Sequence, residues 1–234
     1  MRWPLRVVVI GLVVALLVGC ALLRPAPTPT PVPTPEESTP LPPTPVPEES
    51  TALPATAQPT TAPIAGFKRF AGTGIELWLP ETFRGGDLSE DLDLVVDGLN
   101  ELGYGQAAEM IKANPDVFVL WTFDSEVGPS GFVSSATVTS QSTLSAFTID
   151  NYVDLASNQY PAEFVVSEVE VVDQAPFEAR RLIVTNDSLG TKQLQFIYML
   201  GGEMWAVTYS TSQDEFEERL PSFELSASTF RVTD

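Results

Sequence analysis

Fourteen of the 21 prolines in this 234-residue chain fall between Pro25 and Pro63, among Thr, Ala, Ser and Glu and with almost no large apolar side chain. Proline locks φ and lacks the amide donor that helices and sheets use. A stretch of this composition cannot bury enough surface to offset the entropy of ordering it. It is expected to be a disordered Pro/Thr-rich linker of polyproline II character, which leaves one candidate folding unit behind it. Fully extended at roughly 3.1 Å per residue, it would reach on the order of 100 Å. "PEESTPLP" (35 to 42) returns as "PEESTALP" (47 to 54); two copies read as linker duplication and not as a solenoid. The PxxP matches fit a proline-reading partner or a plain spacer.

Ahead of the linker the chain carries Arg2 and Arg6, an apolar run from Val7 to Val18, and then Gly19-Cys20. A basic start, a short apolar run and a small residue at the cut describe an export signal; a spanning helix needs roughly 20 apolar residues. Leu17-Val18-Gly19-Cys20 resembles the bacterial lipobox. That resemblance implies that residues 1–19 are removed, that Cys20 takes the lipid on its sulfur, and that the rest is held at the extracytoplasmic face of the cell membrane. Acyl burial contributes roughly 0.8 kcal/mol per methylene, so several chains anchor firmly. An uncleaved signal anchor is the alternative, and it also leaves the domain outside. Cys20 is the only cysteine, so no disulfide can form within the chain.

The division expected is therefore 1–19 signal peptide, 20–65 lipidated cysteine and tether, and 66–234 a single globular domain. About 170 residues suffice to bury about 70% of the unfolded surface in one core. Leu88, Leu92, Val95, Val96, Leu99 and Leu102 recur at helical spacing, and Ala107, Ala108 and Ile111 continue it after a break at Gly103-Tyr104-Gly105. Two helices are predicted there. Ile75 to Leu79 reads as a short strand, and "DVFVLWTFDSE" (116 to 126) as an interior strand apolar on both faces, with "GFVSSATVTSQ" its neighbour. Ile149, Tyr152, Val153, Ala156 and Tyr160 form a helical stripe with Thr148 as N-cap. Strands follow at about 164–172, 177–185, 192–200 and 203–210, the last three joined through Asp187-Ser188-Leu189-Gly190 and Gly201-Gly202. Ser212 and Glu215 read as a capping box. Pro221 is expected to kink the last helix or split it in two.

The segment "FIYMLGGEMWAVTYSTSQDEFEERLPSFELSASTFRV" (196 to 232) resembles the C-terminal part of the PsbP-like superfamily. There an aromatic strand turns tightly into another, enters a capped helix and ends on spaced aromatics, positions held here by Phe216, Pro221, Phe223 and Thr229-Phe230. "IELWLPETF" (75 to 83) likewise resembles the opening strand. The resemblance covers most of 66–234 and implies an α+β fold, an α/β/α sandwich around an antiparallel β-sheet flanked by helices. It rests on packing residues and carries no catalytic residue. Metal binding in photosynthetic members leans partly on histidine, which this chain lacks, so that role is not carried over.

Without histidine, and without cysteine beyond Cys20, a Ser-His-Asp relay, a Cys-His pair and a Cys/His zinc site are excluded from the mature domain. "GPSG" (128 to 131) lacks nucleophile-elbow spacing, and Gly72-Thr73-Gly74 precedes a strand where a dinucleotide fingerprint would follow one. No catalytic residue, cofactor or metal site is assigned. Asp91, Asp93, Asp97 and Glu101 do not fit the EF-hand pattern, since apolar Val95 and Val96 fall where ligand and glycine belong. They read as the solvated face of a helix, with weak divalent cation binding at the acidic surface left open. The net charge of −19 lies almost wholly in the domain and argues against nucleic acid; it would attract a basic partner or cations, and acidity for solubility outside the cell is the alternative. Trp78, Trp121, Trp205, Tyr198 and Tyr209 lie on predicted strands, where core packing is the default. Lys68, Lys112 and Lys192 fall where solvent exposure is the default. The function expected is a non-enzymatic binding or scaffold module for a protein or envelope component; the alternative is a carboxylate-based extracytoplasmic hydrolase.

Overall fold

The structure, a computed structural model, describes residues 63–144 and 146–233. Cys20, the expected signal segment and nearly all of the expected tether lie outside the described residues. In chain order the elements are β1 (Phe67–Gly72), β2 (Ile75–Pro80), β3 (Phe83–Gly86), α1 (Leu88–Glu101), α2 (Gly105–Ala113), β4 (Leu120–Asp124), β5 (Ser135–Ser142), α3 (Ile149–Gln159), β6 (Phe164–Gln174), β7 (Phe177–Asn186), β8 (Thr191–Leu200), β9 (Glu203–Ser212), α4 (Gln213–Ser228) and β10 (Arg231–Val232).

Seven strands form an antiparallel sheet in the order β3-β4-β5-β9-β8-β7-β6. Strand side chains alternate between faces, and this sheet uses its two faces differently. On one, Leu120, Ala136, Val138, Phe196, Tyr198, Val207 and Tyr209 join Phe216, Phe223 and Ala227 of α4 and Phe70, Ile75, Leu77 and Leu79 of β1 and β2 in one core. On the other, α1 and α2 cover Trp121 and Phe123 of β4. There α3 covers Leu182, Val184, Ile197 and Met204. The α+β architecture expected from the sequence, helices on an antiparallel sheet, is the one observed.

Three things differ from the expectation. A second, three-stranded sheet, β1-β2-β10, shares the α4 side; its outer strands "FKRFAG" and "RV" are too short or too polar to announce themselves. Helix α4 runs through Pro221 as one element. The aromatic side chains Phe216 and Phe223 on either side of the proline are both buried against the sheet, and this packing outweighs one missing backbone bond. The strand at 116–126 is shorter than read, because Pro115–Val117 forms a 3-10 turn. The N-cap at Thr148 is as expected, completed by Asn151, whose side chain accepts from the Thr148 amide at 3.2 Å.

Gly98 lets α1 sit tightly on β4: a Cβ there would collide with the ring of Phe123. Alanine gains roughly 1 kcal/mol over glycine in a helix, but overpacking costs about 1–3 kcal/mol. Gly98→Ala is expected to lower the urea midpoint; a raised midpoint would show that Phe123 yields freely. Limited proteolysis of the full chain is expected to leave a stable product beginning near Ile64 to Phe67, because Phe67 N already donates to Ile64 O (3.1 Å) and Glu81 N to Gly66 O (3.0 Å). A stable product that keeps the repeats at 35–54 would move the boundary.

Candidate functional site

Buried carboxylates are where carboxylate chemistry would have to reside, and the fold brings two together. Asp124 ends β4 and Glu215 opens α4; they are 4% and 6% exposed. One helical turn beyond Glu215, Arg219 reaches both: Nη1 donates to Asp124 Oδ2 at 2.7 Å and Nε to Glu215 Oε2 at 3.2 Å. The remaining oxygens accept from backbone, Asp124 Oδ1 from Glu126 N (3.0 Å) and Glu215 Oε1 from Ser130 N (2.9 Å). Gly128 opens that turn, and a Cβ on it would collide with the Glu215 carboxylate. Burial pushes the Glu215 carboxyl up, but hydrogen bonds from Ser130 and Arg219 outweigh it and hold the group below its ordinary value. A general acid needs the opposite shift. The group works as a clamp that fastens the β4–β5 loop to α4.

This clamp corrects the capping-box expectation. Ser212 is the N-cap of α4 but its side chain makes no cap bond, and the Glu215 side chain is turned toward Ser130 and Arg219.

Other cations are engaged in the same way. Arg69 and Arg231 both pair with buried Glu76, Arg180 with Asp150 at 2.8 Å, and Lys192 with Glu217 at 2.8 Å while lying 4.2 Å over the Phe216 ring. Arg181 on β7 meets Glu168 (3.0 Å) and Glu170 (3.4 Å) of β6 and Glu224 (3.0 Å) of α4. Three carboxylates there face one guanidinium. Glu168 beside it raises the Glu170 carboxyl above its ordinary value, while Arg181 holds Glu168 below its own.

Of the residues singled out in the sequence, Asp93, Asp97 and Glu101 are exposed on α1, opposite buried Val95, Val96 and Leu99. Asp91 is half-buried. Among the described residues no group of three or more carboxylates is arranged to hold a metal ion. Trp121, Trp205, Tyr198 and Tyr209 are core residues and Trp78 is half-buried. Lys68 and Lys112 are exposed, and Lys192 is half-buried. Cys20 lies outside the described residues.

One feature was not anticipated. Between the α1–α2 and α3 layers, the middle of the sheet carries an uncharged polar strip: Ser135 and Thr137 of β5, Thr208, Ser210 and Ser212 of β9, and Gln193 and Gln195 of β8. These residues are aligned by the pairs Ser135↔Ser210↔Gln193 and Thr137↔Thr208↔Gln195. Tyr160 donates to Gln195 Oε1 (3.0 Å), whose amide donates to Gln193 (2.9 Å). Burial pushes the Tyr160 hydroxyl up despite that bond. Ser212 Oγ and, beside the strip on β4, Trp121 Nε1 are buried without a partner among the described residues. The signal was present in the sequence as Ser, Thr or Gln at alternate positions of three adjacent strands.

No family model and no curated protein matches the chain. Solved structures do. The chain is similar in fold to PsbP. The solution structure of cyanobacterial PsbP from Synechocystis is 16% identical, over 74% of this chain and 96% of that one, with a TM-score of 0.47. LpqN of Mycobacterium tuberculosis, described as involved in cell envelope biogenesis, is 11% identical over 68% and 83%, with a TM-score of 0.47. PA94 of Pseudomonas aeruginosa, of unknown function, is 15% identical over 44% and 74%, with a TM-score of 0.38. The likeness assigns no role.

Because the folded Glu215 carboxyl lies below its ordinary value of 4.5, its contribution is fully present above that pH and is lost as pH falls from there through the lower folded value. Glu215→Gln is expected to cost roughly 1–3 kcal/mol at neutral pH and to flatten the acid limb, so that the two stability curves converge in acid. Parallel curves would remove Glu215 from the acid response.

Proposed function

We propose that the chain is a lipid-anchored lipoprotein whose acidic domain stands off the extracytoplasmic face of the membrane and binds a protein or envelope component without catalysing a reaction. The observation that carries this reading is the state of the buried acids: Asp124 and Glu215 are both spent on Arg219 and on backbone amides. Catalysis by a carboxylate pair requires groups free to face substrate, and the clamp engages the oxygens of both. The anchor and reach come from Cys20 and the proline-dense tether. The partner's character follows from charge: the domain holds most of the −19, and six of its cations, Arg69, Arg180, Arg181, Lys192, Arg219 and Arg231, are already in ion pairs. The outward field is negative and draws basic partners.

A second reading of the ligand rests on the uncharged strip. Its half-buried members Ser135 and Ser210 offer uncharged hydroxyls that suit a neutral, hydroxyl-rich envelope glycan, while the rest of the strip, with Ser212 Oγ and Trp121 Nε1, is buried.

A screen of the purified chain against esters, glycosides, phosphoesters and peptides is expected to give no turnover above background. Turnover abolished by Asp124→Asn or Glu215→Gln in a variant that still folds would promote the hydrolase reading. For the anchor, Cys20→Ser is expected to abolish labelling by a fatty-acid analogue; labelling that survives would remove it.

A further inference from the structure

Strand β6 ends the seven-stranded sheet and pairs only with β7 among the described residues. In an antiparallel pair alternate residues turn N–H and C=O away from the partner, so this edge presents a row of open backbone groups. Such edges are commonly blunted, and here a bulge between Val166 and Glu168 interrupts the ladder. Beyond the bulge the run 168–174, "EVEVVDQ", is regular: Glu168 pairs with Ile183, Val169 with Leu182, Glu170 with Arg181 and Val171 with Arg180. Its two faces differ. Glu168 and Glu170 lie on the α4 side with Glu224, sharing Arg181. Val169 and Val171 lie on the other face, 50% and 76% exposed.

We propose that this edge receives an extended basic segment of a partner protein, which adds as an eighth strand with lysine or arginine beside Glu168 and Glu170 and aliphatic side chains beside Val169 and Val171. The inference deepens the binding-module reading and rests on it. Backbone pairing supplies affinity in such strand addition and alternate side chains supply specificity. Three carboxylates around one guanidinium leave uncompensated negative charge where the incoming cations would sit.

Two other occupants fit less well. In an antiparallel pairing with a second copy, registers centred on Glu168, Val169 or Glu170 set glutamate opposite glutamate, a destabilising arrangement, and the register centred on Val171 sets Glu168 opposite Gln174 and Glu170 opposite Val172, which brings no cation to either acid. The chain's own tether has a proline, which cannot donate to a ladder, at every few positions, and no basic residue between Arg24 and Lys68.

The test uses the full chain in detergent and a soluble peptide of about ten residues alternating lysine with valine and threonine. Its controls are the glutamate counterpart and the lysine peptide N-methylated at alternate amides. Expected are binding of the lysine peptide alone, slowed amide exchange within 168–174, and an affinity that falls about tenfold or more from low to high salt, since exposed charges are screened. Glu168→Gln with Glu170→Gln is expected to weaken binding about fivefold to tenfold. Failure of the peptide to bind overturns the edge proposal, and so does binding that ignores N-methylation or leaves 168–174 unprotected. Protection without peptide that disappears when residues 1–62 are removed would assign the edge to the tether; protection that rises with protein concentration would assign it to a second copy. Each of these leaves the wider binding reading intact, which falls only to turnover.

Discussion

The contact between the β8–β9 hairpin and α4 is the constraint on which the rest of the molecule depends. Tyr198 and Tyr209 are fully buried, yet each hydroxyl is satisfied: Tyr198 donates to Ala227 O at 2.9 Å and Tyr209 to Ser226 Oγ at 2.9 Å. Gln174 of β6 donates to the same Ala227 carbonyl at 3.2 Å. Ring packing adds to this, Tyr198 stacked on Phe230 (4.6 Å) and Tyr209 on Phe223 (5.0 Å). Buried hydroxyls are costly when unpaired, so these bonds fix α4 in rotation as well as position. Burial pushes both tyrosine hydroxyls up, so they stay protonated donors across the working pH range. With α4 set, Arg219 arrives at Asp124, Thr229 Oγ1 accepts from Trp78 N (2.8 Å), and the chain emerges so that β10 pairs with β2.

Much of this was legible in the sequence because it is written in periodicity. The stripes on α1, α2 and α3, the paired-glycine turn at 201–202 and the alternation along β7 to β9 each bury a predictable face. What escaped was either short or non-local. "FRGG" of β3 is a strand only because it pairs with β4, and no four-residue stretch with two glycines announces that. Pro221 is tolerated in α4 because of aromatic packing on the sheet, which local propensity does not encode. The Asp124–Arg219 bond joins residues 95 apart, and Glu215 looked like a capping residue because its alternative partner, the Ser130 amide, lies 85 positions away.

Charge is distributed differently between inside and surface. Inside, acids are matched to arginines and backbone amides and fasten elements together. Outside, the excess remains on helix faces and at the β6 edge, where Glu168, Glu170 and Glu224 share Arg181. The arrangement explains how a strongly acidic domain can be stable and still expose a regular strand. The strip on the opposite sheet face from α4 is instead uncharged, its Tyr160, Gln195 and Gln193 joined by hydrogen bonds.

Photo-crosslinking in intact envelopes decides between these surfaces most directly, with the reactive residue placed in the full chain at Val171 on the β6 edge or at Ser210 in the strip. Expected is an adduct from Val171 whose captured peptide is rich in lysine or arginine, suppressed by high salt and absent from Ser210. Adducts from Ser210 alone, or a Val171 adduct whose captured peptide is acidic or indifferent to salt, would contradict it.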